Sequence, residues 1–276
     1  MAKQVSGRPS AHKHKKQFGQ NFLKNGRIID QIVAAIRPKA SDHMVEIGPG
    51  EAALTRPLIE RVKKLDIIEI DNDLIAPLKI QFATKPAFHL HHTDALKFDY
   101  GTLLSSPETT LRIVGNLPYN ISSPLMFHLL TYAHHIQDMH FMLQKEVVDR
   151  ITANPGIKAY GRLSVMLQYA CQTESLFTVA PDNFTPPPKV DSAIVRLIPH
   201  QTKPFIAEDE KTFSDIVRQS FSQKRKTLRN NLKGWLSPEQ IEQCGIDPGI
   251  RAESIPVEGF VKLANLYFQQ NKHIPQ

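Results

Sequence analysis

Short apolar segments alternate with helical patterns over the first half of the chain, and this alternation constrains the fold more than any other feature. Strands are predicted at residues 43–47, 65–70, 88–91, 111–114 and 139–143. Helices are predicted at residues 27–37, 52–61, 74–82, 124–134 and 145–152. Because parallel strands are joined by crossovers that usually contain a helix, the alternation indicates a mostly parallel sheet covered on both faces.

The pattern changes in the second half of the chain. A helix is predicted at 163–171, and two extended runs at 175–180 and 190–198 should form an antiparallel pair at one edge of the sheet. Only helical patterns follow. We therefore predict an α/β fold with three parts: a basic and flexible N-terminal arm over 1–17, a sheet domain over 18–200 and a small all-helical domain over 205–276.

Charge and cysteine content limit the class of protein. The chain has 276 residues, a formal net charge of +7 and a pI of about 9.3. This charge fits a protein that binds a polyanion, although a basic enzyme with another substrate fits it equally well. Cys171 and Cys244, both in segments predicted as helical, suggest neither disulfides nor structural zinc. With no signal-peptide pattern and no membrane-length apolar run, we expect a cytoplasmic protein.

A glycine-containing turn follows the first predicted sheet strand. Gly48 and Gly50 allow a tight turn and close approach of the backbone to a ligand. The third glycine of a dinucleotide fingerprint is missing, and Glu51, at the predicted start of the next helix, would repel a pyrophosphate. The turn therefore favours a nucleoside without phosphate, such as S-adenosylmethionine, over a nicotinamide dinucleotide. A tight turn that binds no ligand remains the alternative.

Two acidic residues follow neighbouring strands at the same predicted sheet edge. Glu69 ends the second strand, about twenty residues after the glycines, where a carboxylate can accept the ribose hydroxyls. Asp71 fits better as the N-cap of the next helix. Asp94 follows the third strand and could bind the exocyclic amine of the cofactor's adenine. Each acid alone could be an ordinary cap or surface charge.

The segment NLPY follows the fourth strand and fits the chemistry of a methylated amino group. The amine of adenine is a poor nucleophile because its lone pair is delocalised into the ring. The Asn116 side-chain oxygen and the Leu117 carbonyl could accept its two N–H groups and free the lone pair. Pro118 would hold that backbone, and Tyr119 would offer a ring on which an extruded base stacks. Transfer would then depend on positioning and preorganised electrostatics, with no strong base.

Several motifs together resemble the dimethyladenosine transferase family, in particular its KsgA-type branch for small-subunit ribosomal RNA. They are GQNFL at 19–23, EIGPGEAALT at 46–55, GNLPYNIS at 115–122, MLQKEV at 142–147 and FTPPPKVDSA at 184–193. The resemblance extends over nearly the whole chain, including FSQKRKTLRNNL at 221–232. One departure is that many relatives have glycine near Ala52 or Ala53.

The resemblance implies a Rossmann-like S-adenosylmethionine-dependent methyltransferase sheet with a helical C-terminal domain. It implies dimethylation of N(6) in two adjacent adenosines of the 3′-terminal hairpin loop of 16S rRNA, late in 30S subunit assembly. It places Phe184 with Tyr119 around the target base. It also implies a set of cofactor-binding residues: Asn21, Leu23, Gly48, Gly50, Glu69, Asp94 and Asn116.

Basic and histidine-rich segments allow further predictions. Residues 8–16 and 224–229 are basic, and Lys224, Arg225 and Arg229 should face outward together to contact RNA phosphates. A solvated helix face is the alternative for such a run. His89 and His91 share one face of a strand, but without a third ligand we predict no metal site.

Three other functions compete with methylation of small-subunit rRNA. The first is a non-catalytic RNA-binding assembly factor on the same fold, which the intact NLPY segment and acids argue against. The second is a large-subunit rRNA adenine methyltransferase, which FTPPPKVDSA and MLQKEV disfavour. The third, a nicotinamide oxidoreductase, conflicts with the glycine pattern. We expect a monomer whose partner is the 30S subunit, with no membrane association.

Overall fold

The computed structural model describes residues 21–118 and 121–272 of the chain. The predicted N-terminal arm, the basic segment 8–16 and Tyr119 lie outside the described residues. The strands are β1 (Phe22–Leu23), β2 (His43–Ile47), β3 (Lys64–Glu69), β4 (Phe88–His92), β5 (Leu111–Asn116), β6 (Ile136–Gln144), β7 (Cys171–Val179), β8 (Phe184–Thr185) and β9 (Ser192–Pro199).

The helices lie between and after these strands. In chain order they are α1 (Gly26–Ile36), α2 (Thr55–Ile59), α3 (Asn72–Gln81), α4 (Ser122–Leu130), α5 (Lys145–Ile151), α6 (Arg162–Ala170), α7 (Glu210–Ser220), α8 (Leu228–Asn231), α9 (Pro238–Gln243) and α10 (Val257–Asn271). Within the described residues, no helix is both long and apolar enough to span a membrane.

Seven strands form the main sheet in the order β4-β3-β2-β5-β6-β9-β7. The strands from β4 to β6 are parallel to one another, and β9 pairs antiparallel with both β6 and β7. Both the parallel sheet and the antiparallel pair at its edge were predicted. The carboxyl ends of β2, β3 and β5 therefore meet at one edge of the sheet, where ligands of open α/β sheets bind.

Two hydrophobic clusters pack on the sheet, one on each face. Successive residues of a strand point to opposite faces, so Met44 and Ile67 belong to one cluster while Val45 and Ile68 belong to the other. Helices α1, α2 and α3 cover the first face, and α4, α5 and the 3₁₀ turn Tyr100–Leu103 cover the second. Burial on both faces explains why these strands are nearly continuous apolar runs.

The helices after β9 pack around a third hydrophobic cluster that includes residues of α6. Phe213 of α7 and Phe260 of α10 are fully buried in it. The ring of Tyr169, near the end of α6, lies 4.3 Å from that of Phe213, between centroids. The C-terminal helices therefore rest on α6 and share its apolar face, which sequence periodicity alone did not reveal.

Four local predictions were wrong. Helix α2 begins at Thr55 rather than at 52, because Gly48, Gly50 and Ala52 adopt φ values of +67°, +56° and +66° that a helix cannot contain. Glu51 is consequently not at a helix start. Cys171 begins a strand rather than lying in a helix. Residues 221–227 form turns between α7 and α8 instead of a helix. The GQNFL segment, for which no element was predicted, contains a strand, β1, that pairs with β8.

Candidate active site

A cavity of about 320 Å³ lies at the carboxyl edge of the sheet, beyond the ends of β2, β3 and β5. All seven residues predicted to contact the cofactor line it: Asn21, Leu23, Gly48, Gly50, Glu69, Asp94 and Asn116. The same walls include three residues predicted for the substrate base or catalysis, namely Leu117, Pro118 and Phe184. The geometry thus brings together segments that are up to 163 residues apart, from Asn21 to Phe184.

The glycine turn is held by a main-chain bond and by the segment that covers it. Gly48 donates its N–H to the carbonyl of Ile68 at 2.9 Å, which ties the turn to β3. A Cβ atom on Gly50 would lie 2.8 Å from two ring atoms of Phe22 in β1. Glycine is therefore required at position 50 for two reasons, its positive φ and the close approach of Phe22.

Glu69 is fixed at the end of β3 by its own backbone. Its Oε1 atom accepts hydrogen bonds from the N–H groups of Ile70 at 2.8 Å and Asp71 at 2.7 Å. Burial raises the pKa of Glu69 above its ordinary value, while those two donors act in the opposite direction. Asp71 accepts from the Asp73 N–H and caps α3, as predicted. Glu69, not Asp71, lines the cavity.

A second buried carboxylate, Glu46, lines the cavity and was not predicted as a site residue. Thr55 donates its hydroxyl to Glu46 Oε2 at 2.7 Å. Burial raises the pKa of Glu46 to about 7, and the nearby charge of Glu69 adds to that effect. The available signal was an acid inside the predicted strand 43–47, which was considered only as part of the motif EIGPGEAALT.

Asp94 follows β4 in a tight turn. Its Oδ1 atom accepts the N–H of Leu96 at 2.9 Å, and its carbonyl accepts those of Lys97 and Phe98. The turn keeps the partly buried carboxylate on the cavity wall, one strand away from Glu69. The two acids therefore stand in the spatial order that the sequence predicted.

The amide of Asn116 has a defined orientation. Its Nδ2 donates to the carbonyl oxygen of Asn21 at 3.0 Å. Because a carbonyl can only accept, this bond specifies which end of the amide faces Asn21 and leaves Oδ1 on the other side. The next residue, Leu117, donates its N–H to the Met142 carbonyl at 3.1 Å and is 2 % exposed. The acceptor pair proposed from the sequence is thus held between β1 and β6.

The short strands β1 and β8 form a clasp beside the cavity. Phe22 pairs with Thr185 and Leu23 with Phe184 in an antiparallel register. Lys24 extends the clasp through a main-chain bond of 2.9 Å to the Asn183 carbonyl, and its side chain pairs with Glu51. Phe184, predicted to meet the target base, is therefore connected directly to the segment that carries the predicted cofactor contacts.

The ionisable residues that line the cavity are all acidic. Its lining contains four carboxylates and, among the described residues, no lysine, arginine or histidine: Glu46, Glu51, Glu69 and Asp94. Ile70, which is 47 % exposed, adds apolar surface beside them. Such a site disfavours phosphate groups and suits a ligand that combines hydroxyls, a flat apolar ring and a positive charge.

The predicted RNA-contacting cations lie away from this cavity, between α7 and α8 and on α8. Lys224, Arg225 and Arg229 are exposed, while Leu228 is fully buried and anchors the segment. No ion pair joins these three cations to a carboxylate of the described residues. Their charges are therefore available to an external polyanion.

One histidine of strand β4 takes part in a buried hydrogen-bonded cluster with Asp66. Nε2 of His91 and Nε2 of His43 each lie 2.6 Å from an oxygen of Asp66, whereas His89 is exposed. Burial alone would raise the pKa of Asp66, but the two imidazoles lower it below its ordinary value. In residues 21–118 and 121–272, no group of three such ligands could hold a metal ion. The cluster links β2, β3 and β4.

Comparisons with known sequences agree on one family. A family model described as ribosomal RNA adenine dimethylase matches residues 11–269. The chain is 72 % identical over 258 residues to ribosomal RNA small subunit methyltransferase A of Hydrogenovibrio crunogenus, covering 93 % of this chain and 97 % of that one. It is 52 % identical over 261 residues to the protein of that name from Pseudomonas putida, covering 95 % and 97 %.

Solved structures give the same architecture. A dimethyladenosine transferase from Plasmodium falciparum matches with a TM-score of 0.76 and 29 % identity, over 91 % of this chain and 98 % of that one. The 23S rRNA methyltransferase ErmE matches with a TM-score of 0.71 and 25 % identity, over 89 % and 99 %. The predicted Rossmann-like methyltransferase sheet with C-terminal helices is thereby confirmed.

Proposed function

The chain belongs to the ribosomal RNA adenine dimethylase family, and on that premise we propose that it dimethylates N(6) of two adjacent adenosines in the 3′-terminal hairpin loop of 16S rRNA. It is an enzyme of the rRNA methyltransferase class. The small-subunit assignment is supported by the names of relatives that are 52–72 % identical over more than nine-tenths of the chain. The large-subunit enzyme ErmE shares the fold at only 25 % identity.

The observation that carries the proposal is the acidic cavity at the glycine turn. S-adenosylmethionine combines a ribose, an adenine and a sulfonium, and it carries no phosphate. We propose that Glu69 accepts the ribose hydroxyls, that Asp94 accepts the adenine amine and that the backbone at Gly48 and Gly50 approaches the ligand closely. When bound, this cofactor supplies an electrophilic methyl group. A dinucleotide would place its pyrophosphate among the carboxylates.

In this proposal, catalysis depends on two preorganised hydrogen-bond acceptors. The Oδ1 atom of Asn116 and the carbonyl of Leu117 accept the two N–H groups of the target amine, which leaves its lone pair free to attack. The bond from Asn116 to Asn21 prevents the amide from presenting its NH₂ group instead. No strong base is needed, because the methylated adeninium is acidic and loses its proton to these acceptors or to water.

The clasp between β1 and β8 is suited to bring the base to the cofactor. Phe184 is 4 % exposed in the structure and lines the same cavity as Pro118, so it can form one wall for an extruded adenine. Tyr119, which follows Pro118 directly, is proposed as the opposite ring. Flat apolar walls accept a base and exclude water from the reaction.

We propose that the C-terminal helices over 205–276 bind the RNA. Lys224, Arg225 and Arg229 are proposed to contact phosphates of the 30S subunit, because they are exposed and have no described acidic partner. Two free cysteines fit a reducing compartment, and we propose that the protein acts in the cytoplasm as a monomer.

The proposal is tested by incubating the protein with labelled S-adenosylmethionine and either undermethylated small subunits or large subunits. We expect label in the 3′-terminal hairpin loop of the small-subunit RNA and none in the large subunit. Label in the large subunit alone would assign the protein to the other enzyme class. Cofactor binding without transfer to either particle would favour a non-catalytic assembly factor.

A further inference from the structure

A second, open cavity lies in the C-terminal helical region, far along the chain from the methyltransferase site. It has a volume of about 540 Å³ and occupies the turn between α8 and α9, within residues 229–238. Its lining combines two cations, an amide and an indole: Arg229, Lys233, Asn230 and Trp235. No aspartate or glutamate is part of this lining. We call this cavity the Trp235 groove.

The walls of the Trp235 groove are fixed by long-range hydrogen bonds. Leu228 donates its N–H to the Ile250 carbonyl at 2.7 Å, and Arg229 donates to the Pro248 carbonyl at 3.0 Å. The side chain of the buried Asn231 donates to the Ser220 carbonyl at 2.7 Å. These bonds hold α8 against the end of α7 and against the loop that contains Pro248 and Ile250, so the groove is a preformed feature of the fold.

The indole of Trp235 is presented as a supported ring. Gly234, with φ +85°, turns the chain directly before it. The ring lies 5.1 Å from the ring of Tyr267 in α10 at an angle of 34°, and Leu236 is buried beside it. Trp235 remains partly exposed where it lines the groove. A tryptophan backed by a second ring can stack on a ligand without losing further side-chain entropy.

The charge around the groove selects an anionic partner. Residues 219–238 contain five cations and no aspartate or glutamate: Lys224, Arg225, Lys226, Arg229 and Lys233. The nearest acid in sequence, Glu239, accepts a hydrogen bond from the Ser237 hydroxyl at 2.7 Å. Ser237 and Gln240 form a capping box that occupies the first N–H groups of α9. Lys233 and Arg229 are therefore the available binding groups for an anion.

We propose that the Trp235 groove binds one unpaired nucleotide of RNA, with its base stacked on Trp235 and its phosphate facing Arg229 and Lys233. An aromatic face combined with cations is the chemistry by which proteins bind single-stranded nucleic acid. This site is separate from the cofactor cavity and would hold RNA outside the methylated loop. The inference rests on the proposed function, which makes RNA the substrate.

The chain contains a single tryptophan, so its intrinsic tryptophan fluorescence reports on the groove alone. Full-length protein is titrated with an end-labelled single-stranded oligoribonucleotide and with an abasic strand of the same length. Binding is followed by anisotropy of the label and stacking by tryptophan fluorescence. We expect both strands to bind and only the base-bearing strand to quench the tryptophan saturably. Binding of the base-bearing strand without quenching, equal quenching by the two strands, or no binding would each overturn the proposal.

Two variants test the partners of the nucleotide. Lys233→Ala should weaken binding several-fold and flatten the log–log salt dependence by roughly 0.7–0.9, whereas Lys79→Ala, which removes an exposed charge on α3, should change neither. Trp235→Leu keeps an apolar contact with Tyr267 and should weaken the base-bearing strand about tenfold, with no change for the abasic strand. An equal loss of affinity for both strands would indicate that Trp235 serves only the fold and would contradict base stacking.

The readout also separates this inference from the proposed function. Quenching requires neither cofactor nor methyl transfer. The base-bearing strand should therefore quench the tryptophan fluorescence of the Asn116→Ala variant as strongly as that of the wild type. If the wild type methylates no RNA but is still quenched by the base-bearing strand, the groove stands and the enzymatic proposal fails. If methylation is normal and quenching is absent, only the groove is refuted.

Discussion

At the scale of single residues, the proposed mechanism depends on groups whose orientation is fixed before any ligand binds. Asn116 is held by the Asn21 carbonyl, and Glu69 is held by two backbone N–H groups of its own chain. Neither depends on a flexible partner side chain. Preorganisation of this kind lowers the reorganisation that the reaction would otherwise require.

Replacing Asn116 by alanine should reduce methyl transfer by roughly 10²–10³-fold, about 3–4 kcal/mol, because one preorganised acceptor is lost. The rate is measured with saturating cofactor and undermethylated small subunits, beside a circular dichroism spectrum that checks the fold. Some weakening of cofactor binding is also expected, since Asn116 lines the cavity. Turnover close to that of the wild type would disprove the proposed mechanism.

Glu69→Gln and Asp71→Asn form a matched pair, since each removes one negative charge without changing shape. Glu69→Gln should weaken S-adenosylmethionine about 30-fold, from roughly 1 kcal/mol lost in each of two hydrogen bonds to the ribose. Asp71→Asn keeps the N-cap of α3 and should bind the cofactor normally. Calorimetry measures both affinities. The reverse ranking would assign ribose recognition to Asp71.

Glu46 should make the stability of the protein depend on pH. Its pKa rises from the ordinary 4.5 to about 7 in the folded state, so folding favours its protonated form. The protonated carboxyl therefore adds about 3 kcal/mol to the free energy of unfolding below pH 4.5, and this stabilisation is lost as the pH rises to about 7. Relative to the wild type, Glu46→Gln should therefore gain stability over this interval. Denaturant unfolding at several pH values measures the free energy of unfolding of both proteins. If this free energy depends on pH in the same way in both, the raised pKa is refuted.

At the scale of elements, the glycine turn and the clasp form one unit. The turn places three residues at positive φ, and the ring of Phe22 fills the space above Gly50. Strand β1 in turn pairs with β8, which carries Phe184. A disturbance at the turn should therefore reach both the cofactor site and the wall proposed for the target base.

Gly50→Ala tests this coupling against a matched control. The new Cβ would lie 2.8 Å from the Phe22 ring at a residue with φ +56°, so the clasp must shift. We expect at least a tenfold loss of cofactor affinity, in line with a strain of about 1–3 kcal/mol. Gly156→Ala adds the strain of φ +87° with no atom within 4 Å, and it should leave affinity unchanged. Equal cofactor affinities in the two variants would show that a shift of the clasp does not affect the cofactor site.

The parallel sheet and the residues at its carboxyl edge were predictable from the sequence because they depend on local pattern. Apolar runs specify buried strands, and a side chain that follows such a run, as Glu69 and Asn116 do, lies at a known edge. Catalytic roles came from the resemblance and the chemistry of the NLPY segment, and they remain proposals.

Features that depend on distant partners were not predictable. Strand β1 has only two residues, too few for a periodic pattern, and its partner β8 lies about 160 residues away. Residues 221–227 form turns, where a helix was predicted, for two reasons. The Asn231 side chain donates hydrogen bonds to the carbonyls of Ser220 and Gln223, and the Leu228 N–H donates to the Ile250 carbonyl instead of to a helical neighbour. Glu46 was missed because alternation does not reveal a carboxylate that is buried with a hydroxyl partner.

At the scale of the whole molecule, charge is divided between two regions. The net charge is +7, yet the cofactor cavity is lined by carboxylates and by no described cation. In the proposed function, phosphates are repelled at the cavity and attracted to the C-terminal cations, so a base would enter the cavity while the RNA backbone is held elsewhere. Substrate selection in this account is therefore a property of the complete chain.

Removing Lys224, Arg225 and Arg229 together by alanine substitution should weaken subunit binding at low salt. The log–log salt slope should flatten by roughly 0.7–0.9 for each lost contact, so the difference from the wild type narrows as salt rises. A control triple variant at Lys39, Lys63 and Lys79 removes three exposed charges from the sheet domain. Both should bind cofactor normally. If the two triple variants share the wild-type slope, the C-terminal cations are a solvated surface and the arm at residues 8–16 becomes the better candidate.

We propose that the acidic cavity and the Asn116 amide catalyse the transfer of two methyl groups from S-adenosylmethionine to each of two neighbouring adenosines. The most direct test of this proposal is mass spectrometry of nuclease fragments of small-subunit rRNA after reaction with wild-type protein and with Asn116→Ala. The account predicts N(6)-dimethyladenosine at two adjacent positions of the 3′-terminal hairpin loop with the wild type, and a product reduced by roughly 10²–10³-fold with the variant under matched conditions. Methyl groups on another base, or equal product from both proteins, would contradict it.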